Sequence, residues 1–298
     1  MELNNIKRIG IVGAGAMGAQ LAQLFAQVGG YQVTISDIND DLVSNGIRGI
    51  DGRLQKYFVD KGKLTADQKS KIMGSIKGTT SIAELAKDSD FVIEAAIENM
   101  NIKKKIFQEL DANAPAETIL ASNTSALPIT LMTMATKRPD KVIGTHFMNP
   151  VAVMKLVEVI TPPMVSDDTT RVTVELMKKV GKEPVMCKDI SLGFLANRAY
   201  AAMLNEAVQM VWERVASPQD IDKALKLGYN FPMGPCELFD FTGGWGISAS
   251  SEEDRIKEVG DAKGRCHPLV KLMTRAGYCG GLGKKGIYAF WDDVLSKW

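Results

Sequence analysis

The feature that most constrains this chain lies in residues 9–37. Ile9-Gly10-Ile11-Val12, a run suited to a buried strand, meets Gly13-Ala14-Gly15-Ala16-Met17-Gly18 and then the helical run Ala19 to Val28. A G-x-G-x-x-G with a strand before it and a helix after it reads as the phosphate turn of a dinucleotide-binding βαβ unit. Gly13 permits the tight turn, Gly15 lets the backbone approach a pyrophosphate, and Gly18 lets helix and strand pack closely. The helix N-terminus adds N–H groups and a partial positive charge. Asp37 follows the second strand-like run, Gln32 to Ser36. A carboxylate there accepts from ribose hydroxyls and repels a 2′-phosphate, and no arginine follows to offset it, so NAD is favoured over NADP. The plainer reading is a turn that binds nothing, with Asp37 capping the next helix.

Further along, Phe91 to Glu94, Ile119 to Ser122, Val142 to His146 and Leu156 to Ile160 read as strands with helical stretches between most of them. Most lack a polar alternate, as parallel strands covered on both faces do. The expected fold is α/β, a doubly wound, Rossmann-like, mostly parallel sheet. Residues 40–74 break the rhythm. They read as an inserted helical hairpin projecting from the sheet, its second helix opened by Thr65 and Gln68 at capping-box spacing. After Ile190 the pattern is helical alone. Met203, Leu204, Ala207, Val208, Val211 and Val215 mark one face, and Ser217-Pro218 opens another helix that Gly228 closes. The division expected is a cofactor domain over 1–188 and a smaller all-α domain over 189–298.

Lys plus Arg total 36 against 35 for Asp plus Glu, a net charge of +1 that gives no pull toward nucleic acid or a membrane surface. No apolar stretch approaches the roughly 18 residues of a membrane span, and no basic leader precedes the first strand. Two histidines and four scattered cysteines make a metal cluster hard to assemble. The expectation is a cytoplasmic protein without a metal.

Chemistry is sought downstream of the glycine turn. His146, in Thr145-His146-Phe147-Met148-Asn149-Pro150, stands at the C-terminal end of a strand, the edge where open α/β sheets bind ligands. An imidazole there can take a hydroxyl proton while hydride leaves the same carbon; it can equally be a packed histidine. Glu158, inside the apolar Leu156-Val157-Glu158-Val159-Ile160, needs a partner, either His146 or a lysine. The hydroxyls of Ser122-Asn123-Thr124-Ser125 are turn formers or donors to a substrate oxygen.

These residues together resemble the L-3-hydroxyacyl-CoA dehydrogenase family, in its short bacterial form acting on 3-hydroxybutyryl-CoA. The likeness runs over most of the chain. It rests on the Gly13 turn, Glu98-Asn99-Met100, Ser122 to Ser125, His146 to Pro150 and Lys155 to Val159, and on Gly193-Phe194 with Asn197-Arg198 and Pro232 to Pro235 with Glu237-Leu238. The resemblance implies NAD-dependent oxidation of a (3S)-3-hydroxyacyl-CoA and the reverse reduction. It makes His146 the general base and Glu158 its orienting carboxylate, with Ser125 and Asn197 on the reacting oxygen and thioester. It assigns Gly13, Gly15, Gly18 and Asp37 to the adenosine and pyrophosphate half, and Glu98, Lys103, Ser125 and Asn149 to the nicotinamide half. Arg53 and Lys56 on the hairpin become candidates for the coenzyme A phosphates, against a bland role as surface charge. A homodimer through the helical domain is implied too. The alternatives are a dehydrogenase of free hydroxy or sugar acids and a non-catalytic NAD-binding protein.

Three departures from the family pattern stand out. Asn101 replaces an acidic residue and is expected to cap a helix from Ile102. Gly243-Gly244-Trp245-Gly246 is unusually glycine-rich. Within Gly280 to Lys285, Leu282 falls where the family carries a lysine that reaches the cofactor.

Overall fold

The structure, a computed structural model, describes residues 2–190, 193–250, 253, 256, 260 and 264–298, apart from the side chains of residues 247 and 250. Two compact units divide between Ile190 and Ser191.

The first unit is built on eight strands: β1 (Arg8–Val12), β2 (Gln32–Ser36), β3 (Ile76–Thr79), β4 (Phe91–Glu94), β5 (Ile119–Ser122), β6 (Val142–Phe147), β7 (Leu156–Thr161) and β8 (Glu183–Lys188). They form one sheet in the order β3-β2-β1-β4-β5-β6-β7-β8. From β3 to β6 every pairing is parallel. Consecutive residues of β1, β4, β5 and β6 are buried, so both faces of the central sheet are covered. The covering helices are α1 (Ala16–Gln27), α2 (Asp40–Leu54), α3 (Ala66–Gly74), α4 (Ile82–Lys87), α5 (Met100–Asn113), α6 (Ile129–Thr133) and α7 (Asp167–Lys179). With β2 on one side of β1 and β4 on the other, the strand order reverses at the glycine turn, where such sheets open a crevice.

Two edge strands, β3 and β8, extend the sheet beyond the six that the sequence suggests. The larger difference is direction: β7 runs antiparallel to β6, and β8 is parallel to β7. The physical reason is length, since residues 148–155 cannot span the dozen or more residues of a parallel crossover.

The inserted hairpin comprises α2, a π turn at Gln55–Val59, and α3. Thr65 and Gln68 make the capping box reciprocally. The hairpin does not simply project, because Ile50 and Leu54 are fully buried in the core of the unit.

The second unit contains α8 (Ala196–Trp212), α9 (Pro218–Tyr229), α10 (Pro235–Thr242), α11 (Gly244–Ser250), α12 (Pro268–Arg275) and α13 (Ile287–Asp293). Leu204, Val208, Val211, Ile221, Trp245, Leu269, Met273 and Phe290 belong to its separate core. Ser217 caps α9 through the N–H of Asp220, but Asn230, not Gly228, closes it, with φ of 57° in the left-handed region. The glycine-rich segments have a packing reason. A Cβ on Gly243 would stand 3.1 Å from Gly281 Cα, and Gly280, Gly281 and Gly283 all have positive φ. Asp240 accepts from the Trp245 indole and the Ile287 N–H here, and its burial raises the carboxyl pKa. Among the described residues no helix is long and apolar enough to cross a membrane.

Candidate active site

The glycine turn is held from two sides. Gly13 has φ of 104°, and a Cβ on it would meet the Ala95 carbonyl oxygen at 2.5 Å. On Gly18 a Cβ would stand 1.7 Å from the Gly13 carbonyl oxygen, so a bare Cα is what lets α1 return against β1. Gly15 differs, because a Cβ there would meet no atom within 4 Å and would occupy open space in front of α1. Gly15 is also the N-cap of α1 and supplies no side-chain cap to its first N–H groups. An uncapped helix N-terminus facing a space kept clear of side chains fits a bound pyrophosphate.

Asp37 sits at the end of β2 and accepts from the Ala14 N–H (2.7 Å) and the Ile38 N–H (2.8 Å). The helix that follows is capped instead by Asn39, through the Leu42 N–H. Asp37 therefore belongs to the glycine turn.

Under the next two strand ends lies a chain of charges. Glu94, the last residue of β4 and fully buried, accepts from Lys103 Nζ (2.6 Å), the Ala96 N–H (2.7 Å) and Ser122 Oγ at the end of β5 (2.6 Å). Lys103, itself buried within α5, also pairs with Glu98 at 3.3 Å. Glu98 then takes the Thr124 hydroxyl (2.5 Å) and the Ser125 N–H (3.0 Å). One buried ammonium so shares two carboxylates, one of which holds the Ser122–Ser125 loop. Ser125 and Glu98 are exposed above it, whereas Lys103 faces inward. Asn99, not Asn101, caps α5 through the Ile102 N–H, which leaves Asn101 inside the first turn. Asn123 Oδ1 accepts from the Phe147 N–H (2.9 Å) and ties this loop to β6.

His146 and Glu158 stand directly opposite one another in the β6–β7 ladder. Cross-strand partners have Cβ atoms close enough for side chains to meet, and His146 Nδ1 lies 2.7 Å from Glu158 Oε2. Both residues are buried. A carboxylate only accepts, so the shared proton is carried on Nδ1 and the lone pair of the neutral ring is on Nε2. Past β6, the Asn149–Pro150 peptide is cis, and Asn149 is exposed. Lys182 steadies the following turn through the carbonyls of Val151 and Met154.

The remaining sequence-derived candidates are placed as follows. Arg53 lies half-buried along α1, where Nε donates to Gln23 Oε1 (3.0 Å) and burial lowers its pKa. Lys56 is exposed on the π turn, its Nζ 5.4 Å from the Tyr57 ring centroid. In the second unit Asn197 is exposed in the first turn of α8. Leu282 is exposed as well, and Lys285 Nζ is engaged by Asp293 at 2.7 Å. Glu94 and Lys182 were not among the residues that the sequence singled out, and Asn123 was named only as a member of the Ser122–Ser125 run. Glu94 alone left a signal, as the acidic end of an otherwise apolar strand.

Two family models match the chain: the NAD-binding domain of 3-hydroxyacyl-CoA dehydrogenase over residues 8–190, and the C-terminal domain of the same family over residues 193–290. The chain is 41% identical to a 3-hydroxybutyryl-CoA dehydrogenase of Clostridioides difficile, over 95% of this chain and 99% of that one. It is 38% identical to a protein of the same name from Bradyrhizobium diazoefficiens, over 96% of each. Among solved structures, the (S)-3-hydroxybutyryl-CoA dehydrogenase of Ralstonia eutropha superposes with a TM-score of 0.88 at 41% identity, covering 95% of this chain and 99% of that one.

Proposed function

Because the chain belongs to the 3-hydroxyacyl-CoA dehydrogenase family, we propose that it interconverts a short-chain (3S)-3-hydroxyacyl-CoA and the 3-oxoacyl-CoA, with His146 as the general base. It is an NAD-dependent oxidoreductase. When bound, NAD would supply the acceptor for the hydride at C3 of the substrate. The rest is the work of the chain's own groups. His146 Nε2 takes the hydroxyl proton as the C3–O bond becomes a carbonyl. Glu158 keeps the ring in the tautomer that puts the lone pair on Nε2 and stabilises the imidazolium that forms. Ser125, anchored by Glu98, offers its hydroxyl to the reacting oxygen, and Asn197 serves the thioester end. Gly13, Gly15, Gly18 and Asp37 take the adenosine and pyrophosphate half, and Glu98, Ser125 and Asn149 the nicotinamide half. Lys103 acts from beneath, by holding Glu98. Of the two hairpin cations, the exposed Lys56 is the better suited to a coenzyme A phosphate. The working form in this reading is a homodimer through the helical unit. Four thiols with no disulfide suit a cytoplasmic setting.

The observation that carries this reading is the 2.7 Å contact between His146 Nδ1 and the buried Glu158 carboxylate. It is tested by NADH oxidation with acetoacetyl-CoA. His146→Gln is expected to lower kcat by about 10²- to 10⁴-fold while NADH affinity holds. Turnover of free acetoacetate in preference to its CoA thioester, or full activity in His146→Gln, would overturn it.

A further inference from the structure

α1 carries a residue that no family pattern above includes. Gln20 lies on the helix that begins at the glycine turn, and its side chain crosses to the segment after β6. The orientation of its amide is settled by two backbone groups. The Val151 N–H can only donate, so the atom 2.9 Å from it is Gln20 Oε1. The Ala16 carbonyl can only accept, so the atom 3.1 Å from it is Gln20 Nε2. That same Nε2 lies 3.1 Å from Asn149, which makes the Asn149 atom facing it Oδ1. The remaining Asn149 atom, Nδ2, has two N–H donors and no acceptor among the described residues, and the residue is exposed.

We propose that Gln20 is a positioning residue: it locks the Asn149 amide so that N–H donors, not a carbonyl, are presented to the nicotinamide-riboside half of the cofactor. The group that Asn149 recognises is then an oxygen acceptor, either a ribose hydroxyl or the carboxamide carbonyl. Without Gln20 the amide turns freely, and its two flipped forms present opposite chemistry to the ligand. Gln20 also joins Asn149 to the helix whose N-terminus takes the pyrophosphate, so both ends of the cofactor are referred to one rigid element. The inference rests on the reading that Asn149 lines the nicotinamide half.

The test is NADH affinity of the full-length protein by fluorescence titration. It compares the parent with Gln20→Ala, Gln20→Met, Asn149→Ala and the double variant Gln20→Ala/Asn149→Ala. Either change at Gln20 is expected to weaken binding about 3- to 10-fold, the worth of one ordinary hydrogen bond. Asn149→Ala should cost at least as much, and the double variant should match Asn149→Ala alone. A general loosening of α1 would weaken both backgrounds equally, so an additive double variant overturns the proposal. So does parental affinity in both Gln20 variants. If Asn149→Ala itself binds NADH as the parent does, the reading of Asn149 fails and the proposal falls with it. That outcome is distinct from failure at Gln20 alone.

Discussion

Two glycines three residues apart, Gly15 and Gly18, show how differently one residue type can be used. Gly18 is demanded by the chain itself, since any Cβ runs into the Gly13 carbonyl oxygen at 1.7 Å. Gly15 is demanded by nothing in the chain. Its φ of −67° suits any residue, and the space before it is open. Gly15→Ala is therefore expected to melt at the parent temperature yet to bind NADH about tenfold or more weakly, because the added methyl enters the space proposed above for the pyrophosphate. Gly18→Ala should lose stability by about 1–3 kcal/mol or more, since α1 must shift as a body. Paired thermal melts and NADH titrations check both. A destabilised Gly15→Ala that still binds NADH normally would contradict this division of roles.

At the scale of elements, what was legible follows burial. The turn after β1 and the six central strands showed because a strand covered on both faces must be apolar throughout. The edge strands β3 (Ile76–Thr79) and β8 (Glu183–Lys188) are largely exposed, the first short with Lys77 and Gly78 and the second carrying Pro184, so neither shows the covered apolar run of a central strand. The reversal at β7 was legible only through the shortness of residues 148–155. The apolar run around Glu158 already offered His146 or a lysine as its partner; that His146 and Glu158 are ladder partners follows only from the reversal. The Glu94–Lys103–Glu98 chain was not legible as a unit, because its coherence depends on which strand ends are neighbours. Lys182 was silent for a similar reason: its targets are carbonyls, and carbonyls have no residue type. Its ammonium is buried and its pKa lowered by that burial, yet it satisfies the carbonyls of Val151 and Met154. Lys182→Met would leave both without that donor. The expected loss is about 1–3 kcal/mol of unfolding free energy in urea, with NADH affinity falling alongside because Asn149 adjoins this turn. An unchanged urea midpoint would show that the turn holds without it.

At the scale of the whole molecule, each unit has its own core, and the second carries much exposed apolar surface. Leu227, Tyr229, Phe241 and Trp298 are all more than half exposed in a single copy. Scattered apolar residues are ordinary on a surface, so their exposure does not by itself decide the homodimer proposed above, which is tested by mass. The expected mass by light scattering is about twice the 32.4 kDa of the chain. A species of single-chain mass at micromolar concentration would remove the homodimer from the proposal. Within the first unit, labour is divided by strand direction. The parallel strands carry the glycine turn, Asp37 and the Glu98–Ser125 loop, while the His146–Glu158 pair belongs to β6 and its one antiparallel neighbour. His146 and Glu158 are only 12 residues apart in the chain. The pair thus lies within one short, contiguous stretch of chain, and its geometry is carried by the register of β6 against β7 and not by distant parts of the sheet.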